Sequence, residues 1–69
     1  MQQYYTAARN NVEAHLGDVL TADMLDPESE TGMDEFYEEV YTLAFDGAKN
    51  AGATMEQSRA VATIVRGEY

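Results

Sequence analysis

An all-α fold is what this sequence predicts: a small bundle of three helices plus a short extra helical turn, in a single domain over residues 1–69. Three observations carry that expectation. The long segments place apolar residues three and four apart, the period of an amphipathic helix. None shows the sustained alternation, flanked by hairpin turns, that marks paired strands. Helix start and stop signals fall between the periodic segments, Thr at the starts and Gly at the stops.

The first helix is expected from Gln3 to Leu16, with Tyr5, Ala8, Val12 and Leu16 on its buried side and Arg9 and Glu13 outside. Gly17 suits a left-handed C-terminal cap, after which Asp18 can cap a short turn through Val19, Leu20 and Met24. Asp26-Pro27-Glu28 has the order of an N-cap, a first-position proline and an acid favoured by the helix dipole. Gly32 follows soon after, so this segment reads as a one-turn helix or an ordered loop.

The central amphipathic helix, about residues 32–51, comes next, and Thr31 with Asp34 is a shortened relative of the capping box. Met33, Phe36, Val40, Leu43, Ala44, Gly47 and Ala51 form its apolar stripe, with Tyr37 and Tyr41 at the border. At about 100° per residue, Glu35, Glu38, Glu39, Thr42, Asp46, Lys49 and Asn50 gather on the opposite arc. Gly52 is the natural left-handed stop, and Thr54 with Gln57 makes a full capping box. The last helix, Met55 to about Arg66, is expected to bury Ala60, Val61, Ile64 and Val65 and to turn Arg59 and Arg66 outward.

A 69-residue chain buries only about 60% of the surface it exposes when unfolded. With no Cys to form disulfides, good helix packing or self-association has to supply the stability. No apolar run approaches the roughly 18 residues that span a bilayer, and the N-terminus lacks the basic flank of a signal peptide. A soluble cytoplasmic protein is the expectation.

The net charge is −9, and its distribution says more than its size. From Asp18 to Glu39 there are nine acids and no base. Outside that tract four acids face four bases, with Arg9 and Glu13, Asp46 and Lys49, and Glu56 and Arg59 at helical pairing distance. Arg66 and Glu68 are merely close. Such a tract disfavours direct contact with nucleic acid or an anionic membrane and favours a basic protein partner.

The residues do not assemble into a catalytic or metal-binding motif. Asp26, Glu28, Glu30 and Asp34 occupy positions 1, 3, 5 and 9 of a calcium-loop count. Tyr37 then stands where the bidentate Glu belongs, and Gly32 falls one place late. His15, the one histidine, sits near the end of the first helix, where a cation is favourable. Ser29 and Ser58 lie in no nucleophile motif, and no Glu-x-x-His supports a binuclear metal centre. The last two helices have helix-turn-helix spacing, but Arg59 and Arg66 are all they offer to phosphates, so an antiparallel hairpin is expected instead.

Tiny size, an acidic tract and the lack of a catalytic constellation are together similar in kind to small phage-encoded inhibitors, including anti-CRISPR proteins and DNA mimics. The similarity is one of composition. It implies a non-enzymatic inhibitor, without cofactor or metal, that occupies a basic nucleic-acid-binding surface of another protein in a bacterial host's cytoplasm. The expected contact surface is Asp26, Glu28, Glu30, Asp34, Glu35, Glu38 and Glu39, with Tyr37 and Tyr41, because tyrosine is enriched at interfaces. The competing expectation is a helical assembly or regulatory subunit, a homodimer whose acids only solvate its face. Counting Tyr37, Tyr41 and Phe45, the apolar arc of the central helix exceeds half its circumference, more than two neighbouring helices are expected to cover, and a dimer would bury the remainder.

Overall fold

The structure is a computed structural model that describes residues 2–69. It contains α1 (Gln2–Val19), α2 (Ala22–Leu25), α3 (Gly32–Asn50) and α4 (Met55–Gly67), with no strand among the described residues. The all-α bundle is therefore the observed fold, and α3 is its centre. Both α1 and α4 pack mainly against α3, α2 sits on α3 alone, and α1 meets α4 only lightly.

The enclosed core is made of short side chains: Ala8, Val12, Val40, Ala44, Ala48, Ala53, Val61, Ala62 and Val65. Short side chains let helix backbones approach, and α1 comes close to α3 at Gly47. A Cβ there would stand 2.6 Å from the Ala7 carbonyl oxygen and 2.7 Å from Asn11 Cβ. Beside it, Asn11 Nδ2 donates a 2.7 Å hydrogen bond to the Leu43 carbonyl, so a polar contact fixes the same crossing. The bulkier Tyr4, Tyr5, Leu16, Phe36, Tyr41, Leu43 and Phe45 are partly buried around this core.

Several local expectations need correction. Gly17 is not a left-handed cap: α1 runs through it to Val19, and the positive-φ residue among those described is Gly52, at 104°. Glycine permits the left-handed region without requiring it. Asp18 therefore caps nothing. The N-cap of α2 is Thr21, whose Oγ1 accepts the Met24 amide at 3.3 Å. Asp26 is the C-cap of α2, and its Oδ1 accepts the Glu28 amide at 2.9 Å. That Asx-type turn makes residues 26–31 the ordered loop rather than a one-turn helix.

Thr31 makes no side-chain cap bond, because its backbone is already helical (φ −95°, ψ −19°) rather than extended. Ser29 Oγ accepts the Gly32 amide at 3.1 Å instead. The Thr54 box forms in full: Thr54 Oγ1 accepts the Gln57 amide at 3.1 Å, and Gln57 Oε1 accepts the Thr54 amide at 2.9 Å.

Along α3, Val40, Ala44 and Gly47 are buried as the period predicts, joined by Ala48, whereas Met33 and Ala51 are exposed. In α4 the buried face is Ser58, Val61, Ala62 and Val65, and both Ala60 and Ile64 face out. The buried residues keep the three-and-four spacing of a helix face, but that face is rotated away from Ala60 and Ile64 and includes the short side chains Ser58 and Ala62. Ser58 is fully enclosed, and its Oγ has no hydrogen-bond partner among the described residues.

Candidate protein-binding face

Gly52 and the Thr54 cap turn α4 back antiparallel to α3, which brings the C-terminal end of the chain beside the acidic first half of α3. Phe36 organises that end. Its ring meets Tyr37 edge-on at 5.5 Å and Tyr69 at 6.3 Å. One turn on, Tyr41 stacks with Phe45 at 6.4 Å, and the Arg66 guanidinium lies 5.2 Å from the Tyr41 ring centre.

Between the helices these side chains leave an open groove of about 540 Å³, lined by Asp34, Tyr37, Glu38, Tyr41, Arg66, Gly67 and Tyr69. A smaller hollow of about 290 Å³ adjoins it along the same seam, formed by Tyr41, Thr42, Phe45, Met55 and Arg59. Tyr41 is common to both.

Of the residues expected to form a contact surface, Asp34, Tyr37, Glu38 and Tyr41 come together in this groove. Glu35 and Glu39 belong to α3 but do not line it. At about 100° per residue they turn toward the other side of the helix, where Glu39 is partly buried. Asp26, Glu28 and Glu30 are exposed in the loop before α3 and do not line the groove either.

Arg66 and Tyr69 escaped sequence reasoning as members of this site. Their contacts cross the hairpin, and helical spacing registers only neighbours on one helix. The antiparallel register set by Gly52 was the available signal, since it places the end of α4 opposite the start of α3.

Charge pairing also differs from the sequence pattern. Arg9 does pair with Glu13, at 3.3 Å, but its shorter contact is with Glu68, at 2.8 Å. Arg66 leaves Glu68 and turns to Tyr41. Neither Asp46 with Lys49 nor Glu56 with Arg59 forms an ion pair among the described residues. The Tyr5 hydroxyl donates to Glu68 at 2.6 Å, and that bond, with Arg9, holds the Glu68 carboxyl below its usual range. The same carboxylate raises the Tyr5 hydroxyl, and Glu68 followed by Glu13 raises the Arg9 guanidinium.

The acidic tract is treated differently by the fold. No acid from Asp23 to Glu39 enters an ion pair among the described residues, whereas Asp18 lies 3.9 Å from His15. No group of three or more His, Asp or Glu among the described residues is placed to hold a metal ion. No described helix is long and apolar enough to cross a membrane.

Fold and face together define a small α-helical bundle with an acidic, tyrosine-lined groove. Comparison with family models, curated proteins and solved structures finds no match to this chain.

Proposed function

We propose that this protein binds a basic surface of another protein through the start of α3 and the loop before it, and thereby blocks nucleic-acid binding by that partner. One observation supports the reading above the others: the acids from Asp23 to Glu39 stand without an ion-pair partner among the described residues, while Arg9 is committed to Glu13 and Glu68. Like charges this close repel by a few tenths of a kcal/mol per helical pair, and a cationic partner relieves that repulsion. Carboxylates then stand where a partner's Lys and Arg otherwise meet phosphates. In this reading the protein is similar in kind to phage-encoded DNA-mimic and anti-CRISPR inhibitors acting in the cytoplasm of a bacterial host.

The test replaces Glu35, Glu38 and Glu39 together by Gln, which keeps helix propensity and shape. Circular dichroism checks the fold, and the affinity for a captured partner is measured at low and high salt. A folded triple variant that binds as tightly as the parent at both salts removes the electrostatic reading.

A homodimer is the second reading, favoured by large apolar side chains left in the open. Leu25 is 69% exposed, Ile64 54%, Met55 50% and Met33 44%. Light scattering after gel filtration decides it, since a mass near 7.7 kDa at micromolar concentration rules the dimer out.

A further inference from the structure

Two of the three tyrosines that line the groove already face a guanidinium of the chain itself. The Arg66 guanidinium carbon lies 5.2 Å from the Tyr41 ring centre, and that of Arg9 lies 5.6 Å from the Tyr69 ring centre. Tyr37, the third, has no such cation among the described residues. On either side of it along the chain, Asp34 and Glu38 line the same groove and form no ion pair among the described residues. Phe36 packs edge-on against the Tyr37 ring at 5.5 Å and 75°.

We propose that Tyr37, Asp34 and Glu38 form a seat for an arginine side chain of the partner, so that recognition of the basic surface is selective for arginine over lysine. The inference rests on the protein-binding reading above and adds the residue type that the groove takes. A guanidinium over a tyrosine face is attracted by the ring quadrupole. Its flat fork can stack on the ring while donating in-plane hydrogen bonds to carboxylates at the ring's edge. A lysine ammonium satisfies the charge but presents no plane to stack. The fold already uses guanidinium–tyrosine contacts twice at this end, and the volume of about 540 Å³ is ample for one more side chain.

The experiment titrates the protein by calorimetry with a short peptide alternating arginine and serine, and with its lysine counterpart, at low and high salt. The arginine peptide is expected to bind about 2-fold to 5-fold tighter, the range of an exposed cation–π contact. Tyr37→Leu should bring the arginine peptide down to the lysine level, and Tyr37→Phe, which keeps the ring face, should not. Asp34→Asn with Glu38→Gln alters exposed side chains only and should also reduce the preference, which keeps the test decisive if Tyr37→Leu does not fold.

Equal affinity of the two peptides for the parent protein overturns the arginine seat. So does a preference that survives unchanged in the folded variants. If both peptides bind equally and both weaken with salt, the acidic-face reading stands and the seat alone falls. If neither binds, both fall.

Discussion

Arg9 and Glu68, 59 residues apart in the chain, meet at 2.8 Å and tie the first half of α1 to the end of α4. Tyr5 joins them through a 2.6 Å hydrogen bond to the same carboxylate, and Glu13 takes a second guanidinium nitrogen of Arg9 at 3.3 Å. The helices so joined have few other contacts with each other. The cluster thus closes the side of the bundle that the alanine and valine core leaves thin.

This cluster makes stability depend on pH at both ends of the scale. The Glu68 pKa is lowered by Tyr5 and then Arg9, so its contribution is present above the ordinary carboxylate range and is lost as pH falls through the lowered value. The Tyr5 pKa is raised, chiefly by Glu68, so that contribution is present below about 10 and is lost as pH rises through the raised value. Protonating the acidic tract changes stability for a separate reason, so the difference between parent and Glu68→Gln is the informative quantity. In thermal melts the parent's advantage should be widest between these limits and should narrow toward both. A difference that stays constant across pH shows that the cluster is not coupled to folding.

Two glycines inside helices should respond to alanine with opposite signs. At Gly47 the new Cβ meets Ala7 and Asn11 well inside contact distance, and the nearest of those atoms is backbone. Overpacking of this kind costs about 1–3 kcal/mol, which outweighs the gain of about 1 kcal/mol in helix propensity. At Gly17 nothing lies within 4 Å and the backbone is helical, so the propensity gain stands alone. Chemical denaturation of Gly47→Ala and Gly17→Ala measures both. A destabilised Gly17→Ala would mean that α1 ends before that residue.

The two threonines at helix starts give a third test. Thr54 closes a complete capping box, so Thr54→Ala should cost about 1 kcal/mol. The Thr31 hydroxyl makes no cap bond, and Thr31→Ala should be close to neutral. Equal losses at the two positions would show that Thr31 caps α3 in solution.

These contrasts mark how far the sequence could be read. Period and capping residues are local signals, and they located α3, α4 and the turn at Gly52 to within a residue or so. Which side of a helix is buried depends on what it packs against. An apolar count chose Ile64 for the core of α4, whereas the face that packs inward carries Ser58 and Ala62 with Val61 and Val65. Helical spacing was a partial guide to ion pairs: Arg9 and Glu13 pair as the spacing suggests, whereas Asp46 with Lys49 and Glu56 with Arg59 do not pair among the described residues. The reach of Arg9 to Glu68 and of Arg66 to Tyr41 requires the tertiary fold. The acidic tract was legible as composition, but its division into groove-lining and outlying carboxylates follows from where α4 lies.

That division gives the last prediction, which separates a local site from a field of net charge. Asp34 and Glu38 line the groove with Tyr37 and Tyr41, and Glu35 and Glu39 do not. Asp34→Asn with Glu38→Gln, and Glu35→Gln with Glu39→Gln, each remove two of the charges that make up the net −9. Long-range attraction to a basic partner is therefore reduced equally in the two double variants, and the early, salt-sensitive part of association should match. Short-range contacts should not match. A hydrogen bond to a charged group is worth about 1.5–3 kcal/mol, so loss of one from the groove should weaken binding by about tenfold or more beyond the loss shared by both variants. Dissociation should carry the difference, with the groove variant leaving the partner faster. Surface plasmon resonance against the captured partner, at two salt concentrations, measures the rates directly. Identical dissociation rates for the two variants would show that the acids act only through their summed charge and that the groove between α3 and α4 is not where the partner sits.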